Sequence, residues 1–138
     1  MVNSFSQSKE IENISNQDNP SIVFSLTLKA NVRSHNLIAD AVIVYLNGSE
    51  KELAKLSYSF VTNIEDLEPH INEKDSTIYL PDTLIRTIIF DTFATGRAMI
   101  SERLAGTALK DDYLPLGGAE DIWNKFKANP KINIIKDA

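Results

Sequence analysis

The sequence of 138 residues has no cysteine and only two histidines, His35 and His70. A disulfide framework, a thiolate nucleophile and a cysteine-ligated zinc site are therefore excluded. Neither histidine has a partner ligand at metal-binding spacing, so we predict no metal site and interpret both as exposed. Basic residues are outnumbered 14 to 19 by acidic ones, and the formal net charge of −5 argues against a nucleic-acid partner.

Long apolar runs are also missing. No stretch reaches the roughly 18 apolar residues of a membrane-spanning helix. Residues 1–20 lack the apolar core of about 7 to 15 residues that a signal peptide requires. The chain is 43% hydrophobic and 24% charged, which are proportions typical of one globular domain. We therefore predict a soluble cytoplasmic protein without a membrane span.

The sequence offers no convincing catalytic constellation. Ser101 has no histidine placed locally to activate it. Asp111 and Asp112 are adjacent in a predicted loop, where their carboxylates diverge. Gly117-Gly118 lacks the lysine and third glycine of a phosphate-binding loop. We therefore predict that the protein is not an enzyme and uses no cofactor.

Hydrophobic periodicity predicts an α+β fold with an antiparallel four-stranded sheet. Apolar residues alternate over 22–33, the segment 37–46 reads LIADAVIVYL, and alternation returns over 53–60. Asn47-Gly48 predicts a type I′ hairpin between the second and third strands, and residues 77–80 predict a short fourth strand. Residues 1–20 are predicted to be a flexible arm or an edge strand, residues 21–128 one domain, and residues 129–138 a tail that is mobile or pairs as a strand.

Two helices follow the strands in this prediction. Pro81 and Asp82 mark the start of a long helix, whose apolar stripe continues to Leu104 and ends at Gly106. A Pro/Gly connector over 107–118 leads to a short second helix that ends before Asn129-Pro130. The strand LIADAVIVYL is apolar on both faces apart from Asp40, and one helical layer covers only one of them. We expect a partner subunit or a bound guest to cover the other face, unless all of these residues fill the monomer core.

This order of elements resembles the SecB family of export chaperones. The matching stretches are LIADAVIVYL, SYSFVTNIEDLE, IYLPDTLIRTIIFDTFATGRAMI and YLPLGGAEDIWNKF, which together span roughly residues 21–128. In that family, protomers form dimers and tetramers, and nonnative polypeptides bind apolar grooves between the sheet, the connector and the second helix. The resemblance implies a homo-oligomer, dimeric or tetrameric, that binds unfolded polypeptides.

The resemblance also implies site residues. The client-binding groove would have a floor of Val42, Val44 and Leu46 and a wall of Tyr113, Leu114, Leu116, Trp123 and Phe126. Helix packing shared between the subunits and the domain core would involve Ile85, Ile88, Ile89, Phe93 and Gly96. The resemblance implies the SecA motor as a partner, although Lys55 stands where client-delivering members carry an acidic residue, which argues against docking to that motor.

We therefore predict an ATP-independent holdase that serves protein export or one dedicated client, such as the antitoxin of a toxin–antitoxin pair. The net negative charge favours basic, nonnative clients. The alternative is a non-enzymatic oligomeric interaction module whose apolar strand is covered by self-association or by one dedicated protein partner.

Overall fold

The computed structural model describes residues 2–8, 20–72, 77–109 and 118–135. The helices are α1 (Asp82–Leu104) and α2 (Gly118–Ala128). The strands are β1 (Val2–Gln7), β2 (Ser21–Asn31), β3 (Asn36–Leu46), β4 (Glu52–Asn63), β5 (Ile71–Asn72), β6 (Thr77–Ile78) and β7 (Ile132–Ile135). The predicted bounds of the two helices agree with the structure to within a few residues.

The main sheet has five strands in the order β1-β4-β3-β2-β7, while β5 and β6 form a separate two-stranded ribbon. The predicted α+β class is confirmed, but the predicted four-stranded antiparallel sheet is wrong. One reason is that residues 77–78 pair with β5 outside the main sheet. The other is that the two chain ends add strands: β1 is antiparallel to β4, and β7 is parallel to β2. Strands β1 and β7 thus lie within the two terminal segments, 1–20 and 129–138, for which the sequence had left a strand or a mobile chain open.

The turn between β3 and β4 differs from the predicted type I′ turn. No glycine in the described residues has a positive φ, and the left-handed residue of this turn is Glu50, with φ 63°. The Asn47 side-chain oxygen accepts hydrogen bonds from the backbone N–H groups of Ser49 and Lys51, both at 2.9 Å. These bonds stabilise a longer loop, in which Glu50 N–H also bonds the Asn47 carbonyl at 2.9 Å. Asn47 therefore sets the turn through its side chain, and Gly48 is not left-handed.

Both helices pack on one face of the sheet, which we call the covered face. Along β3 the residues on this face are at most 1% exposed: Leu37, Ala39, Ala41, Ile43 and Tyr45. Helix α1 buries against the sheet Ile85, Ile88, Ile89, Thr92, Phe93, Gly96, Ile100 and Leu104. Helix α2 contributes Ala119 and Trp123 to the same core. The period of two in the strands and the apolar stripe of α1 thus meet in a single layer.

Gly96 lies where α1 packs against Tyr58 of β4. Tyr58 of β4 donates a hydrogen bond from its hydroxyl to the Thr92 carbonyl, and burial raises the pKa of Tyr58 well above its ordinary value. A Cβ atom at position 96 would overlap the Tyr58 hydroxyl and ring. Glycine is required here because an aromatic side chain of the same protomer fills the space of a side chain.

Candidate functional site

A groove of about 490 Å³ lies along the outer edge of β2, beneath α2. We call it the β2–α2 groove. Its volume falls in the range of about 300 to 1,000 Å³ that is typical of ligand sites. Its lining consists of Phe24, Ser25, Leu26, Thr27, Leu28, Ile122, Lys125, Phe126, Asn129, Lys131 and Asn133.

The edge of β2 that borders the groove is only half paired. Strand β7 pairs with β2 from Leu28 to Asn31, and within the described ranges no strand pairs with the outer edge of residues 21–27. Alternate N–H and C=O groups of this segment therefore point out of the sheet edge. Such an edge is a template on which another extended chain can add as a strand.

The part of the groove that lies on the covered face of the sheet is lined by apolar side chains. Phe24, Leu26 and Leu28 occupy alternate positions of β2 and project toward the helices. Ile122 and Phe126 are four residues apart on α2, so both lie on the helix face that meets the sheet. These five side chains form the apolar part of the groove lining.

The predicted wall residues of α2 have different roles. Phe126 lines the groove, whereas Trp123 is only 5% exposed and belongs to the core. Their rings stack with centroids 6.1 Å apart and planes 18° apart. Trp123 therefore packs against the Phe126 ring from the side of the core. The other predicted wall residues, Tyr113, Leu114 and Leu116, lie outside the described residues.

The predicted floor lies on the other side of the sheet. Val42, Val44 and Leu46 alternate with the buried residues of β3 and so project from the face opposite the helices, which we call the open face. The structure therefore does not bring them together with Trp123 and Phe126. The floor of the groove comes from β2 instead. Its alternation was visible in the sequence, but the position of α2 over it was not.

The open face is divided by a row of polar side chains, which we call the polar ladder. Lys29 forms an ion pair with Asp40 at 2.8 Å. Ser59 donates a hydrogen bond to Asp40 at 2.7 Å, and Asn3 donates one to Ser59 at 3.0 Å. Partial burial alone would raise the pKa of Asp40, but the hydrogen bonds from Lys29 and Ser59 and the charge of Lys29 outweigh it and lower that pKa. The ladder crosses β2, β3, β4 and β1.

Apolar side chains flank the polar ladder on both sides. Val23, with 45% of its surface exposed, faces Val44 on one side. Val61, at 51% exposed, faces Ile38 on the other. The apolar surface of the open face is thus split into two small patches. Lys55 also lies on this face, paired in register with Val44.

The residues predicted to share subunit packing with the core are internal to one chain. Ile85, Ile88, Ile89 and Phe93 are at most 4% exposed, and Gly96 faces Tyr58. The structure assigns them to the domain core, because a side chain already buried in one protomer has no surface left for another. The exposed face of α1 carries other residues, among them Thr87, Asp91, Ala94 and Ala98.

The remaining predictions concern the two histidines, a metal site and membrane-spanning helices. Both histidines are partly buried rather than exposed, and His35 sits in a turn with φ 57°. Within the residues that the structure describes, no three His, Asp or Glu side chains are grouped to hold a metal ion. No helix in that part of the chain is long and apolar enough to cross a membrane.

Comparisons of the chain with protein families, with curated proteins and with solved structures found no match. The resemblance to the SecB family therefore rests on the order and pattern of the elements.

Proposed function

We propose that the protein is an ATP-independent holdase that binds extended segments of unfolded polypeptides in the β2–α2 groove. The observation that carries this proposal is the coincidence of a strand edge, residues 21–27, that no described strand pairs with, and a groove lined in part by apolar side chains. The edge supplies backbone hydrogen bonds that every polypeptide can make. The lining supplies side-chain pockets, so both contributions act on one extended guest.

The expected strength of binding follows from the size of the groove. Each large apolar side chain that the groove buries contributes roughly 1.5 to 3 kcal/mol before ordering costs are subtracted. Ordering a flexible client segment opposes this contribution at every residue that becomes fixed. Two or three anchored side chains therefore give weak, reversible binding, which suits a protein that holds and then releases its clients.

The first experiment measures how well the protein suppresses aggregation of a chemically unfolded client. We expect the double variant Ile122→Ser with Phe126→Ser to lose most of the suppression, because it removes the apolar wall. The control is Val61→Ser, a like substitution at an exposed valine on the open face. Equal suppression by parent, double variant and control, with all three folded by circular dichroism, would contradict the proposal.

A second experiment tests the contribution of the strand edge. One apolar peptide is prepared in two versions, each N-methylated at alternate residues, so that each version blocks the hydrogen-bonding groups on one edge only. A guest that adds to β2 binds as a strand through one edge. We therefore expect one version to bind like the unmodified peptide and the other to bind far more weakly. Equal affinities of both versions would remove the strand-addition mode.

The resemblance to the SecB family supports two biological settings for such a holdase, export and the holding of one dedicated client such as an antitoxin. Copurification of clients after mild crosslinking in the native host distinguishes them. Many unrelated precursors are expected in the first setting and one protein in the second. Recovery of the SecA motor in the same experiment would support docking despite Lys55.

The open face supports a second candidate, an oligomeric interaction module. Its half-exposed valines, Val23 and Val61, lie beside the partly exposed Val44 and Ile38 on a sheet face that no described helix covers. In this case a second copy or one dedicated partner covers the open face. Light scattering of the parent and of Val44→Lys separates the candidates, because only an interface on this face loses its oligomer in the variant.

A further inference from the structure

The charged residues that line the β2–α2 groove are all basic. Lys125 projects from α2 and Lys131 lies at the end of the groove where β7 begins, and both are exposed. No acidic side chain is among the lining residues. This local sign is opposite to the formal charge of the whole chain, −5.

Neither lysine forms an ion pair with another residue in the described part of the chain. The ion pairs found there join Lys29 to Asp40 and Arg86 to Glu120. Glu120 lies in the first turn of α2, at the opposite end of the helix from Lys125. The third lysine of this region, Lys127, lies 5.4 Å from the centre of the Trp123 ring and does not line the groove.

Distance decides which charges a bound segment experiences. At about 0.1 M salt, exposed charges separated by more than roughly 10 Å are largely screened from one another. Among the lining residues, the charges that act on a segment seated in the groove are those of the two lysines. Asp121 lies one helical turn before Lys125 on α2 but does not line the groove. The remaining polar lining groups, such as Ser25, Thr27 and Asn129, are neutral.

We propose that the groove selects extended segments in which a short apolar stretch is flanked by Asp or Glu. The apolar residues occupy the pockets between β2 and α2, and the flanking carboxylates approach Lys125 at the rim and Lys131 at the end. This selectivity rests on the proposed function of the groove and reverses the preference for basic clients that the total charge predicts. Lys125 and Lys131 are its specificity-determining residues.

The test uses three peptides that carry the same neutral fluorophore and the same four apolar residues alternating with serine. They differ only in their flanks, which are two Glu, two Gln or two Lys on each side. At about 0.05 M salt we expect the Glu peptide to bind about three- to tenfold more tightly than the Gln peptide, and the Lys peptide to bind more weakly than both. The differences in affinity should shrink at about 0.5 M salt, because salt screens the charges of the flanking residues, and the peptides differ only in those residues.

Variants locate the source of the preference. In Lys125→Gln with Lys131→Gln the three peptides should bind alike, and in Lys125→Glu with Lys131→Glu the order should reverse. Lys127→Gln is the matched control on the same helix, and we expect it to keep the parent's preference. The circular dichroism of each variant should match that of the parent, which shows that the fold is intact.

The outcomes separate the two proposals. If the Gln peptide binds but the Glu peptide has no advantage, the charge selectivity is overturned and the groove keeps its proposed function. A preference for Glu that persists in Lys125→Gln with Lys131→Gln overturns the assignment to these two lysines. If none of the peptides binds the parent, the proposed function fails and the selectivity fails with it.

Discussion

The two faces of β3 differ although their residues alternate along one strand. On the covered face Ala41 and Ile43 are at most 1% exposed and pack beneath α1. On the open face their neighbours Val42 and Val44 are only partly buried, and Asp40 stands in line with them. The apolar residues of β3 therefore form a packed core on one face of the sheet and a surface divided by polar side chains on the other.

This difference decides which surface suits the proposed binding of an extended chain better. The open face offers apolar side chains, but the polar ladder interrupts it, and β3 at its centre is paired with a strand on each side. The β2–α2 groove offers fewer apolar residues, together with an edge of residues 21–27 that no strand in the described part of the chain pairs with. Affinity for an extended polypeptide requires both, so the sheet edge, rather than the sheet face, carries the proposed function.

The largest expected effect compares adjacent residues of β3. Ile43→Ala should lower the free energy of unfolding by about 2 to 5 kcal/mol, because it leaves a cavity in the core. Val44→Ala should lower it by at most about 1 kcal/mol, because Val44 is partly exposed. Chemical denaturation at two protein concentrations measures both. A cost for Val44→Ala that equals that of Ile43→Ala and depends on concentration would show that a second copy covers the open face.

A smaller effect is expected where α1 approaches β4. Gly96→Ala should lower the free energy of unfolding by about 1 to 3 kcal/mol, because the added methyl overlaps Tyr58. Tyr58→Phe removes the overlapping hydroxyl and its hydrogen bond to Thr92, at a cost of about 1 kcal/mol. In the Tyr58→Phe background, Gly96→Ala should therefore cost less than in the parent. Strictly additive costs in this double-mutant cycle would contradict the contact.

The polar ladder should contribute less, and its contribution should depend on pH. Because the folded protein lowers the pKa of Asp40 below its ordinary value of 3.8, the stabilisation is complete above that pH and is lost as the pH falls through the folded pKa. Asp40→Asn should cost at most about 1 kcal/mol near pH 7, since Lys29 and Asp40 are each about a third exposed. The difference between parent and variant should shrink as the pH falls through the folded pKa of Asp40. Thermal unfolding over this range measures it, and a constant difference would rule out the charged pair as its source.

The smallest effect concerns the turn that fixes which residues of β3 and β4 share a face. A one-residue slip of this hairpin would exchange the covered and open faces. Glu50 has a left-handed backbone with φ 63°, so Glu50→Gly should raise the free energy of unfolding by about 0.5 to 1 kcal/mol. Gly48→Ala is the matched control and should not destabilise the protein through its backbone, because Gly48 is not left-handed and has open space around it. A large loss in the control would indicate a type I′ turn after all.

The sequence predicted the positions of the strands and helices better than it predicted which strands pair with one another. Alternation over β2 to β4 and the apolar stripe of α1 are local signals, and each element formed where its pattern lies. Strand β7 has four residues, and its pairing depends on an edge of β2 about a hundred residues away in the chain. No local pattern encodes such a partner. The hairpin at Asn47-Gly48 was predicted, but its turn type was not. Hydrogen bonds to the Asn47 side chain stabilise this turn, and Gly48 does not adopt the expected positive φ.

The candidate site was predicted in part for the same reason. The resemblance to the SecB family assigned Phe126 to the wall of the groove, and Phe126 lines the groove of the structure. The same resemblance assigned the floor to Val42, Val44 and Leu46, and the sequence of a strand with two apolar faces does not reveal which face the second helix will cover. Once α2 lies on the same side as α1, alternation moves the floor to Phe24, Leu26 and Leu28 of β2.

Amide hydrogen exchange of the protein with and without a saturating apolar peptide tests the central claim most directly. The account predicts slower exchange at alternate amides of residues 21–27, where the guest strand would donate and accept hydrogen bonds, and no change at the amides of β3, which are already paired on both sides. Unchanged exchange over residues 21–27 with the peptide demonstrably bound would contradict it.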